Sequence, residues 1–184
     1  MESYITNSVE VKPQDYITDP AFPYWLIYRN RDFDEAADKM IFGIFKAFRD
    51  RSITKSNSSL HGKVRVLKSR NIGNNEVINI EGYDTYIDDV NGLEVSKYLN
   101  KTECVLVPNL SYNPRACFMP MGCITDGSVA ILTTINGETV TKEDLAYYAT
   151  EEFSKFYCIA RNRGTRSLNI DNNSVFFYGK LKRL

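Results

Sequence analysis

The residues best placed to do chemistry are cations. Six of them (Arg51, Lys55, Lys63, Arg65, Lys68 and Arg70) fall within residues 51–75, which contain no acid. The next stretch, residues 76–103, has the reverse balance. It carries Glu76, Glu81, Asp84, Asp88, Asp89, Glu94 and Glu103 against Lys97 and Lys101. Further basic groups follow at Arg161, Arg163 and Arg166, and at Lys180, Lys182 and Arg183. The chain is neutral overall, so this segregation suits a module that meets a polyanion on one face only. Solvated surface is the plainer use of such charge runs.

The constellations that catalysis requires are missing from the sequence. No G-x-S-x-G elbow accompanies the single histidine, His61, which sits in a Ser-rich loop. There is no phosphate loop of the G-x-x-x-x-G-K-[ST] type and no G-x-G-x-x-G fingerprint. Asp88-Asp89 lies beside Asn91-Gly92 and reads as a surface turn rather than a divalent-metal site. Cys104, Cys117, Cys123 and Cys158 form no C-x-x-C pair. They read as small buried apolar residues, and no metal site is expected. A base-modifying methyltransferase would need an N-P-P-Y-like tetrapeptide and a Gly-rich cofactor turn. Asn113-Pro114-Arg115 only superficially echoes the first.

The elements that must position these residues follow from periodicity. Phe33, Ala36, Ala37, Met40, Ile41, Ile44, Phe45 and Phe48 recur at spacings of three and four, which predicts an amphipathic helix over 33–48, capped by Asp32 with Glu35 three residues on. Its Phe-rich stripe would serve as core or as a docking face. Extended segments are expected at 64–68, 77–80, 104–107, 116–119, 129–132 and 175–178, each bounded by Gly, Pro, Asn or Asp. A short helix is expected over 94–99. Thr141 with Asp144 opens a second helical region to Ala160, in one piece or broken near Thr150, with Gly164 as its left-handed stop. Residues 24–28 read as a buried strand or packed turn, and 52–62 as a loop. This mixture predicts an α+β fold, with a mixed, twisted sheet, a C-terminal helical pair and an N-terminal helical connector. With 184 residues, 43% of them hydrophobic, the chain has enough apolar material for a core. It has no apolar run of membrane-spanning length and no leader-like start, so a cytoplasmic location is expected and a membrane partner is not.

Val64-Arg65-Val66-Leu67-Lys68-Ser69-Arg70-Asn71-Ile72 resembles the first strand of the target recognition domains of bacterial type II adenine-specific DNA methyltransferases. The likeness is to the TaqI-like and Eco57I-like groups, and above all to the Alw26I/Eco31I/Esp3I family. In those domains the strand leads into a divergent polar stretch, here residues 73–100. Val105-Leu106-Val107-Pro108-Asn109-Leu110 is similar to the family's apolar strand ending in Pro. Arg115-Ala116, the strand over 128–132, and the helical pair over 144–160 with its trailing arginines also follow the family's order. Residues 25–30 and 48–54 look like the link to a catalytic core. The resemblance divides the chain into a connector, 1–60, and a recognition domain, 61–184. It implies a restriction–modification specificity module that holds and reads double-stranded DNA for a methyltransferase catalytic domain or subunit. S-adenosylmethionine would be used by that catalytic half, with no cofactor in this chain. The DNA-contacting candidates are Arg65, Lys68, Arg70 and Asn71 on the first strand, Tyr112 and Arg115 on a loop, and Arg161, Arg163 and Arg166 after the helices. The alternative from a different class is a protein–protein docking or scaffold domain.

Overall fold

The structure is a computed structural model, and residues 11–111, 113–163 and 170–183 are described. Its helices are α1 (Gln14–Ile17), α2 (Arg31–Ala37), α3 (Lys142–Tyr148) and α4 (Glu151–Ala160). Its strands are β1 (Met40–Ile41), β2 (Phe45–Phe48), β3 (Val64–Leu67), β4 (Thr85–Ile87), β5 (Val105–Pro108), β6 (Cys117–Phe118), β7 (Cys123–Thr125), β8 (Val129–Thr134) and β9 (Lys180–Leu181). The fold is α+β.

Four strands form the middle layer in the order β2-β8-β5-β6, all antiparallel. Every residue of β5 is buried, as is β8 from Val129 to Leu132. Both faces of this sheet are covered, so its central strands read as continuous apolar runs instead of alternating ones. Phe45, Val105, Val107, Ala130 and Leu132 face a core shared with Phe33, Leu145, Phe153, Phe156 and Phe177. Leu106, Cys117, Val129 and Ile131 face a second core, shared with Val66, Leu67 and Ile124. That second core is closed by a three-stranded sheet, β4-β3-β7, in which β3 pairs antiparallel with β4 and parallel with β7. A parallel pair needs a long crossover, and here the chain supplies it by passing through β5 and β6 between β3 and β7.

The periodic stripe over 33–48 is not one helix. The helix is Arg31–Ala37, and Asn30 caps it, its side chain accepting from Phe33 N at 3.0 Å. Asp32 instead lies in the first turn. After Asp38 the chain turns, and Gly43 at φ +69° breaks any helical path. Gly43 N donates to Phe176 O at 3.1 Å, and Ile44 to Phe48 then run into the central sheet. The stripe's residues go to different places: Phe33, Ala36, Met40, Ile44 and Phe45 lie in the aromatic core, Ile41 is exposed and Phe48 packs on the second core. In the aromatic core Phe33 stacks on Phe156 at 4.7 Å and Phe42 on Phe156 at 5.5 Å.

Two other expected strands are also corrected. Residues 77–80 make only an isolated bridge, Ile72 with Val77, since the Ile78 carbonyl is taken by side chains. Residues 175–178 lie mostly in a 3₁₀ turn, Ser174–Phe177. The Asp171 carboxylate accepts from Ser174 N at 2.6 Å and Asn173 N at 3.1 Å, which starts the turn. The helical pair is indeed broken at Thr150, whose hydroxyl caps α4. Its end, however, is made before Gly164, which lies outside the described residues. Asn162 and Arg163 take φ +50° and +49°, and their amides bond back to the carbonyls of Ile159 and Cys158.

The C-terminal segment is locked onto the rest by Asp144, which is fully buried. One carboxylate oxygen accepts from Thr141 N at 2.7 Å and from Arg183 at 3.0 Å, and the other accepts from Leu181 N at 2.8 Å. Beside it β9 pairs with β1, and Gly179 comes so close that a Cβ there would sit 2.2 Å from the Ile41 carbonyl oxygen. Replacing Asp144 by Ala orphans a buried amide and the α3 cap together. The expected loss is about 2–4 kcal/mol, read as a lower urea midpoint at unchanged slope; a midpoint equal to wild type would refute this role.

Candidate nucleic-acid interface

The basic segment 51–70 folds around one acid and one aromatic ring. Asp84, just ahead of β4, accepts from Arg65 at 2.7 Å, from Asn71 Nδ2 at 2.6 Å and from Ile80 N at 3.2 Å. Arg65 also donates to Asn79 Oδ1 at 2.6 Å and to the Ile78 carbonyl at 3.0 Å. Both members of the Arg65–Asp84 pair are largely shielded, at 16% and 15% side-chain exposure. Asn71 is fully buried, and its Oδ1 accepts from Lys68 N at 2.9 Å. Two of the candidate DNA contacts, Arg65 and Asn71, thus spend their hydrogen bonds inside the protein.

Tyr83, next in the chain, organises two more. Lys68 Nζ lies 4.0 Å from its ring centroid and donates to its backbone carbonyl, while the Arg70 guanidinium lies 4.8 Å from the same ring. Burial holds the Lys68 ammonium below its ordinary pKa, against the pull of Asp126 and Asp84. Arg70 is exposed. The loop before β3 rises opposite. Ser59 exchanges both backbone bonds with Tyr86, at 2.9 and 2.8 Å, which pins the loop to β4. Between them lies a cleft of about 620 Å³, lined among others by Lys55, Ser58, Lys68, Tyr83 and Asp126.

Arg115 is a strut rather than an arm. Its guanidinium donates to the carbonyls of Ile72 at 2.6 Å and Ser69 at 3.2 Å and to Ser111 Oγ at 2.6 Å. Burial lowers its pKa from the ordinary value. It ties the β5–β6 loop to the base of the Lys68–Asn71 turn.

No protein-family model matches the sequence, and no curated protein matches it. The site therefore has to be read from its own geometry.

The remaining candidates do not join the cleft in one cluster. Arg161 is paired with Asp171 at 3.4 Å at the end of α4. Arg163 is exposed, its guanidinium 5.8 Å from the Tyr28 ring. Tyr112 and Arg166 lie outside the described residues. Lys55 and Lys68 line the cleft and Arg70 lies against the ring of Tyr83 at its wall, while Arg51 and Lys63 are further exposed cations of the same segment. Arg51, Lys55, Lys63 and Arg70 have no carboxylate within 4 Å among the described residues. Tyr83 and Asp84 were missed from sequence, because nothing in an acidic, divergent stretch marks one ring and one carboxylate as the partners of residues 13 to 19 positions earlier.

Of the four cysteines expected to be buried, Cys158 on α4 is exposed. Cys104, Cys117 and Cys123 are buried, and burial pushes the thiols of Cys104 and Cys117 up to about 11 and about 12. Among the described residues no group of three or more His, Cys, Asp or Glu could hold a metal ion. No helix there is long and apolar enough to cross a membrane.

If Asp84 is the hub, Arg65→Ala and Asp84→Ala should couple. A double-mutant cycle in urea is expected to return a coupling of about 2 kcal/mol, below that of a fully buried pair because water reaches both groups. Strict additivity would remove the hub.

Proposed function

We propose that this chain is a nucleic-acid-binding module that seats duplex DNA against the Lys55–Arg70–Tyr83 cleft and reads its sequence for a methyl-transfer catalytic domain or subunit. The observation that carries the reading is the exposed cation set Arg51, Lys55, Lys63 and Arg70, without a carboxylate within 4 Å among the described residues, with Arg70 against the Tyr83 ring. Lys55, Lys63 and Arg51 are point charges and forks suited to phosphates, which fix position without sequence information. Arg70 is the candidate reader. Its guanidinium projects from a rigid turn and can pair bidentately with the O6 and N7 of guanine. In this arrangement Arg65, Asn71 and Arg115 shape the surface and leave the base edges to others. The adenine-methyltransferase partner, and S-adenosylmethionine as that partner's cofactor, come from the resemblance of residues 64–72, 105–110 and 128–160 to target recognition domains.

A docking module is the second reading, and one observation favours it. Trp25, Ile27 and Tyr28 are exposed while Leu26 between them is fully buried. The segment is held by Asn162, whose side chain accepts from Ile27 N and donates to Trp25 O, each at 2.8 Å. The Phe-rich stripe at 33–48 no longer supports docking, since Phe33, Ile44 and Phe45 are core.

Fluorescence anisotropy with a labelled duplex, titrated with salt, separates the two. A DNA module should show log K falling steeply with log salt. Lys55→Ala and Lys63→Ala should each lower the slope by about 1. Arg70→Ala should cost about tenfold or more on a retained target and less on unrelated duplex, in keeping with about 1–3 kcal/mol for one bidentate contact. Binding indifferent to salt and to all three substitutions would reject the cleft.

A further inference from the structure

A second basic groove, apart from the cleft, lies where β2 begins and β8 ends. Its volume is about 700 Å³, and its lining includes Lys46, Lys97, Lys101, Tyr98, Thr133 and Thr139. Tyr98 lines it, and its ring packs on that of Phe48 at 4.8 Å. Lys97 Nζ lies 4.4 Å from the Phe48 centroid and 5.5 Å from that of Tyr98, and Lys101 Nζ lies 6.0 Å from Tyr98. Lys46 stands two residues before Phe48 on the same strand, so the two share a face, and its cross-strand partner is Thr133. The fold thus brings three ammonium groups from two distant segments around one ring pair, with threonine hydroxyls beside them.

Among the described residues these cations are largely without a neutralising carboxylate. Lys46 and Lys101 have no carboxylate within 4 Å among the described residues, and Lys97 meets only Glu94, at 3.3 Å, with both side chains more than half exposed. Such an exposed pair contributes little and yields readily to a stronger anion. Glu103 and Glu138 also line the groove, and the Glu138 carboxylate accepts from Asn136 N at 3.1 Å. The groove is therefore not uniformly positive: three lysines face two carboxylates in its lining. Compact ammonium groups act as point charges toward phosphate oxygens, and neighbouring hydroxyls can donate to the same oxygens.

We propose that this groove binds phosphate through Lys46, Lys97 and Lys101. The source is either the backbone of a polynucleotide, which in the duplex case rests on the function proposed above, or a free phosphorylated small molecule. Two measurements on the full chain test it. The first follows backbone amide resonances during titration with inorganic pyrophosphate. The second compares the salt slope of duplex binding for wild type and the Lys46→Gln/Lys101→Gln variant, with far-UV circular dichroism to verify that the variant is folded.

Pyrophosphate shifts centred on residues 46, 97–101 and 133–134, absent in the variant, establish the site with a small phosphorylated ligand, even if no duplex binds and the nucleic-acid reading falls. A slope lower by about 2 in the variant establishes it as a backbone contact. If Lys55→Ala and Arg70→Ala leave that duplex binding intact, the groove stands and the cleft falls. No pyrophosphate shift at these residues together with an unchanged slope, or with no duplex binding at all, overturns the proposal.

Discussion

The β5–β8 pair is taken out of water on both faces, and the rest of the molecule is arranged by that requirement. Val105, Leu106, Val107, Val129, Ala130, Ile131 and Leu132 are essentially inaccessible. Full burial of side chains this size stabilises by about 1.5–3 kcal/mol each for the larger ones, opposed by an ordering cost of about 1–2 kcal/mol per residue. Such strands hold their place only if two separate layers cover them. One layer is the aromatic core under α2, α3 and α4. The other is the β4-β3-β7 sheet, and that second layer carries the cations of residues 63–70. The candidate interface is thus the outer surface of a lid on the central sheet.

That dependence explains how the cations divide. Those on the inner edge of the lid must find acceptors, because a buried unpaired charge is costly. Arg65 finds Asp84, Lys68 finds the Tyr83 carbonyl and ring, and Arg115 finds two carbonyls and a hydroxyl. Those on the outer edge, Lys55, Lys63 and Arg70, keep their charge toward solvent. Some of the chain's acids are taken up internally, as Asp84, Asp50 and Asp144 are, or in turns. Asp89 is one of the latter, accepting from Asn91 N at 2.8 Å.

Much of this order was legible in the sequence. The runs at 64–67, 105–108 and 129–132 are short, β-rich and bounded by breakers, and each is a strand. Thr141 and Asp144 announce their helix by local chemistry alone, and Thr150 breaks the pair where its hydroxyl can cap. The failures share a cause. At 33–48 a helix and a strand joined by a turn carry apolar residues bound for different places, Phe33 and Phe45 in the aromatic core, Ile41 exposed and Phe48 on the second core. These fall by chance on a single helical stripe, with Gly43 the hint of the break. At 175–178 four residues of β-like composition are wound into a turn by Asp171, which periodicity does not register. The strands β4 and β7 are three residues each and were passed over, because their pairing with β3 is a long-range fact. The site followed the same division. Segregation of charge was visible, but which cations point inward depends on acceptors far along the chain, as with Arg115 and the Ile72 carbonyl 43 residues away.

The proposed role requires that this surface distinguish one DNA sequence from another. The most direct measurement is selection of the purified chain on a randomised duplex pool at about 100 mM salt, where phosphate contacts alone already hold weakly, followed by sequencing of what is retained. The pool is run in parallel with the catalytic domain or subunit added once such a partner is in hand. The account predicts a discrete enriched motif containing a guanine, lost or relaxed at that position in the Arg70→Ala protein. A retained pool as random as the input, with and without the catalytic partner, would contradict it.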